Sequence, residues 1–121
     1  MPTQRPPHFG AYMHFLRMSA QLRSGYAALG VNEFELFEEI VLAWAHSKPL
    51  FFSQAIGIKR LGAHATLFAR LAELRQQNLI ERIKQDTDVR TKYLIPTGKG
   101  LALIRQLAEA LAAGQVSGAT P

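Results

Sequence analysis

Between Leu79 and Gly100 the chain reads L-I-E-R-I-K-Q-D-T-D-V-R-T-K-Y-L-I-P-T-G-K-G, and the residues there equipped for chemistry are the cations Lys84, Arg90 and Lys92, with Asp88 among them. Ammonium and guanidinium groups at this spacing, with no cysteine, histidine or serine beside them, are suited to holding anions rather than to bond-breaking. Arg90 and Lys92 therefore read as contacts to phosphate or to a groove of nucleic acid, against the plainer alternative of solvated surface charge.

Such contacts need a scaffold, and the flanking pattern supplies one. Leu79 to Ile83 and Lys92 to Ile95 read as two short strands, with Lys84 to Arg90 as the loop between them. No Asn-Gly or Asp-Gly marks a minimal hairpin, so a long, mobile loop is expected. Upstream, Leu50-Phe51-Phe52 has the character of a minor strand, and Ser53 can cap a short helix from Gln54 to Lys59. Gly62 provides a turn, and Ala63 to Gln77 forms a further helix with Leu67, Leu71 and Leu74 on its core side. Thr97 then caps a last helix carrying Leu101, Ile104, Leu107, Ala108 and Leu111 on one stripe. Helix, turn, helix, strand, basic loop, strand, helix is the outline of a winged helix-turn-helix, in which the second helix of the pair enters the major groove. His64, Ala65, Thr66, Phe68, Ala69 and Arg70 would be its leading residues.

Two further helices precede this part. Phe15, Met18, Leu22 and Tyr26 recur at helical spacing between Phe9 and about Leu29, with Gly30 as the stop. Asn32 with Glu35 resembles an N-cap pair, and Phe34, Phe37, Ile40, Val41 and Trp44 give the buried side of a second helix that ends near His46. Residues 1–8, with three prolines, read as a disordered arm, residues 9–113 as the domain, and the small-residue stretch 114–121 as a flexible tail.

Composition narrows the function. The 121 residues suit one domain, and the formal charge is +5 with pI near 10.0. From Lys59 to Arg105 ten Lys and Arg face four acids, whereas Met1 to Ile58 carries four of each sign. A basic half beside a neutral half fits one face meeting a polyanion, because neutralised phosphates release condensed counterions. The apolar runs are broken by charge before the roughly 20 residues that a membrane helix needs, and the N-terminus lacks a signal peptide's apolar core, so a cytoplasmic protein without membrane partners is expected. Cysteine is absent, which removes disulfides, thiolate zinc sites and thiol redox sensing. His8, His14, His46 and His64 have no close metal-ligand spacing with carboxylates, no Ser-His-Asp arrangement appears, and Gly98-Lys99-Gly100 is only a fragment of a phosphate loop. Neither an enzyme nor a cofactor is expected.

L-A-E-L-R-Q-Q-N-L-I-E-R and D-V-R-T-K-Y-L-I-P-T-G-K-G, with the preceding helix pair, resemble the MarR-type winged helix-turn-helix transcriptional regulators of bacteria over about Leu50 to Leu103. The resemblance implies a symmetric homodimer built from the first and last helices, bound to double-stranded DNA at a pseudo-palindromic operator. It implies that Arg90 reaches toward the minor groove, that Asp88 orients the wing, and that Thr66 lies near the start of the recognition helix. This chain departs from the family pattern at Asn78 (usually Gly), Pro96 (usually Leu), Val89 (often Arg) and Ala63 (often Ser). Asn tolerates the left-handed conformation. Ala65, Phe68 and Ala69 offer bases no hydrogen bonds, so direct readout would fall on His64, Thr66 and Arg70, with apolar contact from Ala65 or Phe68 to thymine methyls. Phe9, Tyr12, Phe15, Tyr26, Phe37 and Trp44 fit either a pocket for a small aromatic effector, as in family members that bind phenols, or ordinary core packing.

The expected fold is therefore mostly α with a small β-wing (α+β), a winged helix-turn-helix whose flanking helices dimerise. The expected DNA-contacting set is Ser53, His64, Thr66, Phe68, Arg70, Lys84, Asp88, Arg90 and Lys92. The expected function is sequence-specific transcriptional regulation, most simply repression. The alternative is a winged-helix protein-interaction module that uses Phe68 and its neighbours.

Overall fold

A computed structural model describes residues 6–26, 29–85 and 88–118, without side chains at 85, 88–91 and 114–118. The chain divides into two units, Ala28–Leu101 and a second made of Met1–Ala27 with Ala102–Pro121.

In the first unit, helix α2 (Val31–Ala45) begins two residues earlier than the Asn32 and Glu35 pair suggests. Its N-terminus is closed by Glu33, whose Oε2 accepts the Gly30 amide at 2.8 Å. Leu36, Phe37 and Ile40 then form the buried ridge with Phe34, while Trp44 remains 38% exposed instead of joining the core. Helix α3 (Phe52–Ile56) also starts early, at Phe52. Gln54 supplies the capping acceptor that the sequence suggests for Ser53, its Oε1 taking the Phe51 amide at 2.9 Å. The expected helix to Lys59 is broken at Gly57, and Lys59–Leu61 forms a separate 3-10 turn. Helix α4 (His64–Gln76) buries Leu67, Leu71 and Leu74 completely, as their spacing requires. Each such leucine removes enough apolar surface from water to contribute about 1.5–3 kcal/mol.

Strands β1 (Ile80–Gln85) and β2 (Asp88–Pro96) form an antiparallel pair, the wing. Their register runs from Ile80 opposite Pro96 to Lys84 opposite Lys92, then shifts so that Gln85 faces Asp88. Val89, Arg90 and Thr91 are thus taken up in a bulge on β2, and the long loop expected from Lys84 to Arg90 is replaced by paired strand and bulge. Asp86 and Thr87 lie outside the described residues. Leu50 and Phe51 do form the expected minor strand contact: Phe51 bridges Tyr93, its ring stacked on the tyrosine at 4.8 Å, and the Leu94 amide donates to the Leu50 carbonyl.

Where α4 meets the wing the chain is tied in a small knot. Asn78 takes a left-handed φ of 60°, the conformation that asparagine tolerates better than most residues. The Leu79 amide donates back to the Leu74 carbonyl, and the Leu79 carbonyl accepts from the Thr97 amide, both at 3.0 Å. The Thr97 hydroxyl donates to the Asn78 carbonyl at 2.6 Å and accepts the Gly100 amide at 2.9 Å, capping α5 (Gly98–Gly118) as the sequence indicates.

In the second unit, α1 (Phe9–Ser24) ends at Gly25 rather than near Leu29. Glycine is a poor helix former, and here the Gly25 and Tyr26 amides close the last turn onto the Leu22 and Arg23 carbonyls. Phe15, Leu22 and Tyr26 are half-buried, but Met18, Tyr12, Met13 and Leu16 are exposed. Residues 1–5 of the expected arm lie outside the described residues, while the Pro6 carbonyl accepts the Phe9 amide at the entry to α1. Helix α5 continues through Gly114 to Gly118, past the start of the expected tail; its leucine- and alanine-rich stretch outweighs the roughly 1 kcal/mol penalty of one interior glycine. Residues 119–121 lie outside the described residues.

Candidate nucleic-acid interface

The candidate interface lies on the face of α4 opposite its three buried leucines. Gly62, at φ 149°, turns the chain from the 3-10 segment into α4, a conformation that side-chain-bearing residues rarely adopt. His64, Ala65, Thr66, Phe68 and Ala69 are consequently exposed, as is Ser53 on α3. Arg70 is not among the free groups. Its Nη1 donates to the Leu61 carbonyl at 2.6 Å, so the guanidinium closes the turn between the two helices, although the sequence suggests it as a reader of bases.

The wing supplies cations. Alternation along β1 places Ile80, Arg82 and Lys84 on one face, and their partners Pro96, Leu94 and Lys92 share it. Ile80, Pro96 and Leu94 are buried at the base of this face, Arg82 is half-buried, and Lys84 is exposed opposite half-buried Lys92. Arg90 and Asp88 belong to β2 by their backbone, but their side chains lie outside the described ones.

Two contributors to this surface escape the sequence reading. Arg82 lays its guanidinium over the Phe52 ring at 4.6 Å, and Phe52 meets Phe68 edge-on at 5.5 Å. Alternation could have placed Arg82 with Lys84, but the contact with Phe52 is long-range and leaves no periodic trace. Elsewhere Arg60 is ion-paired with Glu39, and the Lys99 ammonium donates to the Gln77 carbonyl at 3.0 Å. Phe37 is fully enclosed in the core, and Trp44 and Tyr12 are exposed, so these three expected pocket aromatics have unlike surroundings. Among the described residues no helix is long and apolar enough to cross a membrane.

Compared by sequence, the chain matches no protein-family model and no curated protein. Compared by structure, it resembles a transcriptional regulator of Thermotoga maritima with a TM-score of 0.63 at 16% identity, covering 84% of this chain and 67% of that one. FabT of Streptococcus pneumoniae, solved in complex with DNA, gives 0.58 at 23% identity over 87% of this chain and 70% of that one. AbsC of Streptomyces coelicolor, a MarR family transcriptional regulator, gives 0.54 at 18% identity over 85% and 70%. The fold is thus that of the MarR-type winged-helix regulators, a small two-stranded wing on a mostly helical chain.

Proposed function

We propose that this chain is a DNA-binding transcriptional regulator of MarR type that acts in the cytoplasm as a homodimer and represses by occluding a promoter, with α4 in the major groove and the wing beside it. The observation that carries this reading is exposed Lys84 directly opposite half-buried Lys92 across the hairpin. Like charges paired directly across strands are destabilising, and an anion lying across both would relieve that repulsion. A phosphate backbone running along the wing is such an anion, and FabT, which shares the fold, was solved bound to DNA. His64 and Thr66 would then reach base edges, with Ser53, Asp88 and Arg90 at the periphery of the contact.

Binding is tested by fluorescence anisotropy on duplex DNA over a range of salt concentrations. Changing both Lys84 and Lys92 to Gln removes four cations from a bound dimer, so it should reduce the salt slope by about four and weaken all sequences alike. The same change should leave the unbound protein as stable or slightly more so. Absence of binding to any duplex at low salt overturns the reading and favours the protein-interaction module, which the apolar face of α4 would otherwise support.

Dimerisation is supported by the exposed Tyr12, Met13 and Leu16 on α1. Light scattering at micromolar concentration should give twice the mass of the 13.4 kDa chain; a monomeric mass would rule the homodimer out. A small aromatic effector is compatible with Phe9, Phe15 and Tyr26, which are half-buried.

A further inference from the structure

Phe68 is the odd residue of the interface. It stands 57% exposed in the middle of α4, with Ala65 and Ala69 beside it also exposed, on the surface that a DNA reader would fill with polar groups. An exposed phenylalanine left to itself would sample several rotamers. This one is braced: its ring packs edge-on against Phe52, and the Arg82 guanidinium from the wing lies over the Phe52 ring. Edge-to-face aromatic packing and cation–π stacking are both directional, so the three side chains form a chain of fixed contacts from β1 through α3 to α4. The arrangement also has a cost, since Arg82 Nε is buried without a hydrogen-bond acceptor among the described residues.

With Arg70 committed to Leu61, the long cation that could have paired with guanine in this part of the helix is withdrawn. Beyond His64 and Thr66 near its start, what α4 offers a major groove is thus an apolar surface. The one apolar group that B-DNA displays there is the thymine C5-methyl.

We infer that Phe68, flanked by Ala65 and Ala69 and held in place by Phe52 and Arg82, recognises thymine methyl groups, and that this chain selects its sites by methyl contact more than by hydrogen bonds to bases. The inference rests on the DNA-binding reading above. Phe68 is the specificity residue, and Phe52 and Arg82 are positioning residues that act through it.

The test uses duplexes selected by the full-length protein from a randomised pool, resynthesised with every thymine replaced by deoxyuridine. This replacement removes the methyl and keeps every hydrogen-bonding group. Wild-type protein should bind the deoxyuridine duplex more weakly by about four-fold for each methyl it contacts. Phe68→Ala should bring that ratio close to one while leaving the salt slope unchanged. Arg82→Lys keeps the charge but not the plane that lies on the ring, and should reduce the ratio without removing DNA binding. Equal wild-type affinity for the two duplexes overturns the inference and leaves the DNA-binding reading intact. So does a ratio that persists in Phe68→Ala, because the discrimination would then come from duplex shape. Binding to neither duplex at low salt overturns the DNA-binding reading itself, and this inference with it.

Discussion

Gly100→Ala is expected to destabilise the wing-bearing unit by about 2 kcal/mol net, lowering its melting temperature by on the order of 10 °C. A Cβ at this position would overlap the Leu79 carbonyl oxygen and lie 3.4 Å from the Phe37 ring. Neither neighbour can retreat cheaply. The Leu79 carbonyl is fixed by the Thr97 amide, Leu79 itself is fully buried, and Phe37 is part of the α2 ridge. Gly100 also donates its own amide to Thr97, so sliding α5 away would break the cap that starts the helix. Overpacking of this kind costs about 3 kcal/mol, and the better helix propensity of alanine recovers only about 1. Gly98 is the control: a Cβ there meets nothing within 4 Å, and Gly98→Ala should stay within about 0.5 kcal/mol of wild type. Thermal denaturation of both variants decides the matter. If Gly100→Ala melts with Gly98→Ala, the contact with Leu79 is not the constraint.

Arg70→Met should cost about 1.5–3 kcal/mol of stability and weaken DNA binding without changing its salt slope. Methionine keeps much of the arginine stem but cannot donate to the Leu61 carbonyl, which would lose the charged hydrogen bond that closes the turn before α4. The leading residues of α4 depend on that turn for their direction, so affinity should fall for all sequences together. A base-reading arginine would give the opposite pattern: unchanged stability and relaxed preference at one base pair. Denaturation together with a salt titration separates the two roles.

Much of this architecture is legible in the chain because its signals are local. Leu67, Leu71 and Leu74 announce α4, Thr97 announces the start of α5, and Asn78 holds the left-handed position assigned to it. The displaced boundaries also have local causes. Gly30 with Glu33 and Asn32 with Glu35 are both plausible caps from spacing alone, and the structure uses the earlier pair. The wing is longer than its sequence suggests because a bulge absorbs Val89 to Thr91, and bulges carry no turn signature of the Asn-Gly kind. The site is less legible than the fold. The tie from Arg70 to Leu61 and the stack of Arg82, Phe52 and Phe68 join residues that periodicity treats as unrelated. A basic side chain on an apparently open helix face looks the same in sequence whether it meets DNA or the chain's own backbone.

The two backbone groups of Leu79 reach in opposite directions, one to the end of α4 and the other to the end of the wing. A single buried residue thereby fastens the helix that would enter one groove to the hairpin that would lie along the next. These two hydrogen bonds join helix and hairpin before any encounter with a duplex, so docking that used both would start from a junction already formed. The rate of association would then be set by orientation and charge rather than by rearrangement at this junction.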